Sequence, residues 1–199
     1  EQNGNNYGVR YYIYGLTNFK TATIPEKYKG KDVVSLRGNT FSNMYFLKNV
    51  TLPDTITEIR GEAFYNCYSL ENIQLPEKIT EIKGSTFENC KKLKKINIPD
   101  NVTRIGGHAF YGNTSLEEVS ISENSRLQEI GSSAFRKCYR LKEIYIPKGV
   151  YVNERAFKES PTRVLEYGSS KLEYDYHTYL YINKIMEKLN LRPPLSINK

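Results

Sequence analysis

The chain has 199 residues, 39% hydrophobic and 26% charged, an ordinary soluble composition with enough apolar material for one continuous core. No run approaches the roughly 18 apolar residues that a membrane-crossing helix requires. The formal charge of +7 raises nucleic acid as a partner, but Lys and Arg are spread among Glu, as at Glu77-Lys78 and Glu88 to Lys92. Nucleic-acid proteins concentrate charge on one face, so none is expected here.

The first residue is Glu1, with neither an initiator Met nor a signal-like apolar segment after it. A trimmed or mature form is therefore expected, which leaves room for a lost targeting segment. Val9 to Tyr14 and Lys20 to Ile24 read as a hairpin around Gly15.

From residue 41 the chain becomes periodic. Phe recurs at 41, 64, 87, 110, 135 and 157, at spacings of 23, 23, 23, 25 and 22. Five apolar columns travel with it: Leu47, Leu70, Leu93, Leu116 and Leu141; then Val50, Ile73, Ile96, Val119 and Ile144; then Leu52, Leu75, Ile98, Ile121 and Ile146. The fourth is Ile56, Ile79, Val102, Leu127 and Val150, and the fifth Ile59, Ile82, Ile105, Ile130 and Val152. A repeat of this length is one turn of a solenoid, because a single unit cannot bury its own apolar edge.

Within each unit the end of Leu-x-x-Ile-x-Leu alternates and so reads as a short strand, with Ile73 and Leu75 pointing inward in the second coil. Pro53, Pro76, Pro99 and Pro147 follow the strand; lacking an N–H, proline ends the ladder and starts a corner. A return leg, a Gly turn (Gly61, Gly84, Gly106, Gly131) and an Ala-Phe helical turn that plugs the interior complete the unit. Stacked coils put neighbouring strands about 4.8 Å apart in a parallel sheet. The fold class expected is an α/β repeat, a right-handed solenoid with a parallel sheet on one face.

Two departures matter. Ser122-Glu123-Asn124-Ser125-Arg126 replaces a Pro and adds two residues, so a bulge is expected at that corner. Lys158-Glu159-Ser160-Pro161 breaks the pattern and ends the array. Ser170-Lys171-Leu172-Glu173 is a capping box that would open a helix to about Asn190, stopped by Pro193-Pro194, although Tyr174 to Ile182 also alternates like a strand. The expected division is an N-terminal cap with a degenerate repeat over 1–40, repeats over 41–164, and a C-terminal helical cap over 165–199.

The unit L-x-x-I-x-L-P-x-x-I-x-x-I-x-x-x-x-F-x-x-C-x-x-L, written out at 70–93, resembles the BspA-like leucine-rich repeats, also called the Treponema pallidum type. Residues 41–157 carry the resemblance strongly. Over 9–40 a degenerate coil is legible: Thr23-Ile24-Pro25 matches the strand end, and Val33 and Leu36 match the return leg after a five-residue insertion. The resemblance implies a surface or secreted recognition protein with a protein partner, host extracellular matrix among the options. A structural spacer, or a carbohydrate or polyanion binder acting through the basic surface, stays open beside it.

Little in the sequence suggests catalysis. Cys67, Cys90 and Cys138 share one repeat position, three after Phe, with Asn113 in that column between them. Two coils separate Cys90 from Cys138 by on the order of 9 to 10 Å, too far for a disulfide. Cys67 and Cys90 are neighbours aimed the same way, so reduced, inward thiols acting as small hydrophobes are expected. No metal, cofactor or catalytic residue is expected: His108 and His177 have no implied partner, and Gly106-Gly107 belongs to the repeat turn. Sequons occur at Asn49, Asn101 and Asn113, the last pointing inward.

Residues between the inward Ile and Leu of each strand must face solvent. They form two columns: Asn49, Asn72, Lys95, Glu118 and Glu143, then Thr51, Gln74, Asn97, Ser120 and Tyr145. Polar and different from coil to coil, they are the candidate partner-binding residues, with Tyr145 the best single anchor. The turn row Tyr45, Tyr68, Lys91, Thr114 and Tyr139 is a rival surface, and the Tyr cluster between 167 and 181 reads as cap packing.

Overall fold

The computed structural model describes residues 2–3, 6–9, 19–168, 184, 185 and 188. Strands Thr21–Thr23, Asn49–Thr51, Asn72–Ile73, Lys95–Ile98, Glu118–Ile121, Glu143–Ile146 and Arg163–Glu166 recur once per coil along the front of the molecule. They pair parallel in three blocks, with Asn49 opposite Asn72, Lys95 opposite Glu118 and Glu143 opposite Arg163. The alternation read from sequence holds. Val50, Ile96, Ile98, Val119, Ile121, Ile144 and Ile146 are buried, while Leu52 and Ile73 are partly buried against the same core.

A second parallel ladder forms the return leg. Lys31–Leu36 pairs with Glu58–Ile59, and Glu81–Ile82, Arg104–Ile105, Glu129–Ile130 and Tyr151–Val152 stack in sequence. Its inward residues, Leu36, Ile59, Ile82, Ile105, Ile130 and Val152, meet the front residues in one core. Outward charges pair across coils: Arg104 reaches Glu81 at 2.9 Å and Glu129 at 3.0 Å. Glu58 holds Lys83 at 2.8 Å and Arg60 at 3.2 Å, and the hydrogen bond from Lys83 keeps its carboxyl below the usual carboxylate range despite partial burial.

The corner between the ladders is built by proline. The carbonyls of Pro53, Pro76 and Pro99 accept from the amides of Ile56, Ile79 and Val102, three residues on. Where Ser122 stands instead, its carbonyl accepts from Ser125, and its hydroxyl from the Asn124 amide. Glu123 and Asn124 bulge into solvent while Ser125 is buried.

The third leg differs from expectation. Ala-Phe does not sit in a helical turn, and no repeat in the described residues contains an α-helix, so the α part of the expected α/β class is absent from the coils. The physical reason is left-handed backbone on both sides of the ring. Positive φ occurs two residues before Phe at Asn39, Glu62, Ser85, His108 and Ser133, and two after it at Asn43, Asn66, Asn89, Gly112, Lys137 and Glu159. Such residues interrupt a right-handed helix. Their cost is offset between coils, where amides of one turn leg donate to carbonyls of the next, as from Glu62 to Gly84, Phe64 to Thr86 and Asn66 to Glu88. Asn side chains add a ladder: Asn66 donates to Asn43 at 2.9 Å and Asn89 to Asn66 at 3.0 Å.

Inside, the six Phe rings form one stack. Successive centroids lie 5.1–5.4 Å apart, with interplanar angles of 3–11°. Beside them runs the cysteine column. The thiols of Cys67, Cys90 and Cys138 donate to the carbonyls of Phe41, Phe64 and Phe110, and the Ser160 hydroxyl to that of Phe135. Asn113 breaks the pattern: its Oδ1 accepts from the Cys90 amide, while its Nδ2 is buried with no hydrogen-bond partner.

All three thiols are free and buried, and burial pushes Cys67 and Cys138 up to about 12 and raises Cys90 as well. Only thiolate attacks a disulfide reagent. Ellman's reagent should therefore titrate no thiol in the native protein and three after denaturation; rapid native labelling would contradict the buried column.

Of the expected N-terminal hairpin, residues 10–18 lie outside the described residues. Thr21–Thr23 pairs parallel with the next coil, and Asn6–Val9 runs parallel to Lys31–Leu36. The expected C-terminal helix also lies outside the described residues, save Lys184, Ile185 and Lys188, whose backbone is helical.

Candidate functional site

All ten residues of the two expected columns are exposed, and the ladder register places them in line. The sheet brings them together with residues that the repeat alone did not supply. Thr21 and Thr23 extend the columns at one end, and Arg163 and Leu165 at the other. Those strands lie where the motif has decayed: Thr23-Ile24-Pro25 still marked the first as a strand end, whereas nothing in the repeat marked Arg163–Glu166.

Neighbouring coils tune the first column in pairs. Asn72 donates to Asn49 at 3.2 Å. Lys95 forms an ion pair with Glu118, which also accepts from Ser120 at 3.2 Å. The Lys95 hydrogen bond holds the Glu118 carboxyl below its usual range and raises the Lys95 ammonium in turn. Both groups are solvent-exposed, so the pair orients side chains more than it stabilises the fold.

Tyr145 is 44% exposed and does not stand alone. Its ring centroid lies 5.7 Å from that of Tyr167, tilted by 37°. Tyr167 is pinned by its hydroxyl, which donates to the Ile121 carbonyl at 2.6 Å. An anchored ring thus flanks a freer one at the C-terminal end of the strand face. The expectation had Tyr167 in cap packing, and it does tie down the last strand while widening the aromatic surface.

The rival turn row is partly self-satisfied. Tyr45 stacks on Tyr68 at 5.1 Å, and the Lys91 ammonium lies 4.5 Å from the other ring centre. These contacts occupy the faces of Tyr68 that a ligand would use. Farther along the row Tyr139 remains 53% exposed. His108 lies against Tyr111, ring to ring at 5.4 Å. Among the described residues no group of three His, Cys, Asp or Glu could hold a metal ion, and no helix is long and apolar enough to cross a membrane.

Stacked parallel strands on two legs, a proline corner, a Phe core and an outward polar face define a leucine-rich-repeat β-solenoid. The BspA type leucine rich repeat matches the chain in six copies over residues 34–163, and the chain belongs to that family. The T. pallidum Leucine Rich Repeat protein is similar in structure at a TM-score of 0.66 and 29% identity, over 73% of this chain and 65% of that one. A leucine-rich repeat protein from Bacteroides ovatus follows at 0.54 and 28%, over 80% and 48%. The pneumococcal vaccine antigen PcpA, at 0.63 and 19% over 84% and 47%, shares the fold alone. The chain spans less than two thirds of the length of each of these relatives. No curated protein matches it.

Proposed function

We propose that this chain is a non-enzymatic recognition module, displayed at a cell surface or secreted, that binds a protein partner such as an extracellular-matrix protein through its outward strand face. The observation that carries the reading is the pair of exposed columns, in register and different in every coil, on strands whose opposite side chains are fixed in the core. A rigid ladder presents such residues without a backbone ordering cost on binding, which suits an extended partner. The non-enzymatic part is supported by the interior, which is filled with stacked Phe and aliphatic side chains instead of opening as a cleft. The surface location and matrix partner rest on the family.

Tyr145 is the anchor, a partly exposed aromatic ring beside a pinned one. Tyr145→Ala should weaken binding to the matrix protein captured by the unaltered chain by about 2 kcal/mol, roughly thirty-fold in Kd, the loss typical of an aromatic hot spot. Surface plasmon resonance reads this directly. If Tyr145→Ala and a combined Gln74→Ala/Asn97→Ala variant both bind as before, the strand face is not the binding surface; an unaltered chain that captures no protein would instead mark a spacer.

A further inference from the structure

The sequence run Lys91-Lys92-Leu93-Lys94-Lys95 is interrupted by one apolar residue. The fold turns that interruption into a display. Leu93 is fully buried, so the four lysines fan out around it at the corner where the turn leg meets the front strand, and all four are exposed. The acids of the adjoining coils cancel this charge only in part. Glu118 pairs with Lys95, but Glu71 is taken by Lys48 at 3.2 Å and Glu117 by Arg140 at 3.0 Å. Lys92 and Lys94 have no acidic partner among the described residues, nor does Lys142, which occupies the position of Lys94 two coils later.

These cations line two open hollows. One, of about 560 Å³, is walled by Lys92, Lys94, Lys95, Asn72, Ser115 and Glu71. A second, of about 1020 Å³, lies farther along and holds Tyr139, Arg140, Lys142 and Arg163, with Glu117 and Glu143 beside them. The corner thus repeats its cations on alternate coils, on the order of 10 Å apart at the strand spacing of a parallel stack. That interval is comparable to the disaccharide repeat of an acidic polysaccharide, which carries a sulfate or carboxylate in each repeat. Hydroxyl and amide groups from Ser115 and Asn72 suit sugar hydroxyls, and exposed Tyr139 gives a ring surface for a sugar face. A basic run of this kind is a recognised polyanion signature. Single-stranded nucleic acid fits less well, because it needs successive aromatic faces for base stacking; Tyr139 offers one ring, and the faces of Tyr68 are taken by Tyr45 and Lys91.

We propose that this corner is a second binding site, adjoining the strand face and sharing Asn72 and Lys95 with its edge, for a linear sulfated or uronate-bearing polysaccharide.

The test uses the full chain on immobilised heparin, with dextran, polyglutamate and duplex DNA in parallel. At about 0.15 M salt the chain should bind heparin and ignore dextran. Lys92→Ser/Lys94→Ser/Lys142→Ser should weaken binding at least ten-fold and lower the slope of log K against log salt by about 2 to 3, one increment per lost contact. Lys78→Ser/Lys148→Ser/Lys158→Ser removes equal charge elsewhere and should change affinity less than three-fold. All six lysines are exposed, so both variants should melt like the unaltered chain; Lys→Gln replacements at the same sites give a second pair. Tyr145→Ala should leave heparin binding intact, so failure of either site can be told from failure of the other. Equal losses in the two triple variants, polyglutamate or DNA binding as tight as heparin, or no heparin binding at that salt would each overturn the proposal.

Discussion

Phe87→Ala should lower the free energy of unfolding by about 3 to 5 kcal/mol, seen as a large drop in the urea midpoint. Phe87 is fully buried and stacks on Phe64 at 5.2 Å and Phe110 at 5.4 Å, so truncation opens a cavity and removes two ring contacts at once. Each such contact contributes about 0.5 to 1.5 kcal/mol beyond buried area. Phe41→Ala should cost less, since Phe41 has one ring neighbour among the described residues. Equal midpoints for Phe87→Ala and the unaltered chain would mean that the coils do not share an interior.

A comparable loss, of about 1 to 3 kcal/mol or more, is expected from Gly106→Ala, a single added methyl. Its Cβ would lie 2.7 Å from the Gly84 amide nitrogen and 2.9 Å from the Lys83 carbonyl carbon, both backbone atoms with no room to yield. Relief would require parting two coils and stretching the bond from the Gly106 amide to the Ile82 carbonyl. The adjacent Gly107→Ser is the control. Its Cβ would sit 3.2 Å from the Ser132 carbonyl, and the next coil already carries Ser at the matching position. Thermal melts should rank Gly106→Ala well below Gly107→Ser; the reverse order would show that contact between the two Gly turns does not set the coil spacing.

Much of the architecture was legible because it is repeated. Leu70, Ile73, Leu75, Ile79, Ile82 and Phe87 recur in later coils, and a periodic apolar column has one physical meaning, a shared core. The outward columns followed by alternation alone, and all ten of their residues do face solvent. The turn leg was misread for an equally physical reason. Ala-Phe followed by a polar run has respectable helical propensity, and only the Asn and Gly two residues after Phe hinted at left-handed backbone. Glu62, Ser85 and His108 gave no such hint, because what holds them there is a hydrogen bond to another coil, a contact that no local pattern encodes. The lysine corner was missed for a related reason. Along the chain Lys91 to Lys95 sit near Glu88 and appear neutralised, yet in space two of the nearby acids of other coils pair with Lys48 and Arg140, and only Glu118 returns to the run, at Lys95.

The turn leg has a direction. Its amides consistently donate toward the later coil, as from Phe41 to Ala63, Phe87 to Ala109 and Lys137 to Lys158, so carbonyls look back along the axis and N–H groups look forward. Two identical ends brought face to face would therefore oppose acceptor to acceptor, or donor to donor, along that edge. A stack built this way grows like a column of like-oriented magnets: it can be lengthened head to tail, but mirror-fashion joining through this leg is electrostatically refused.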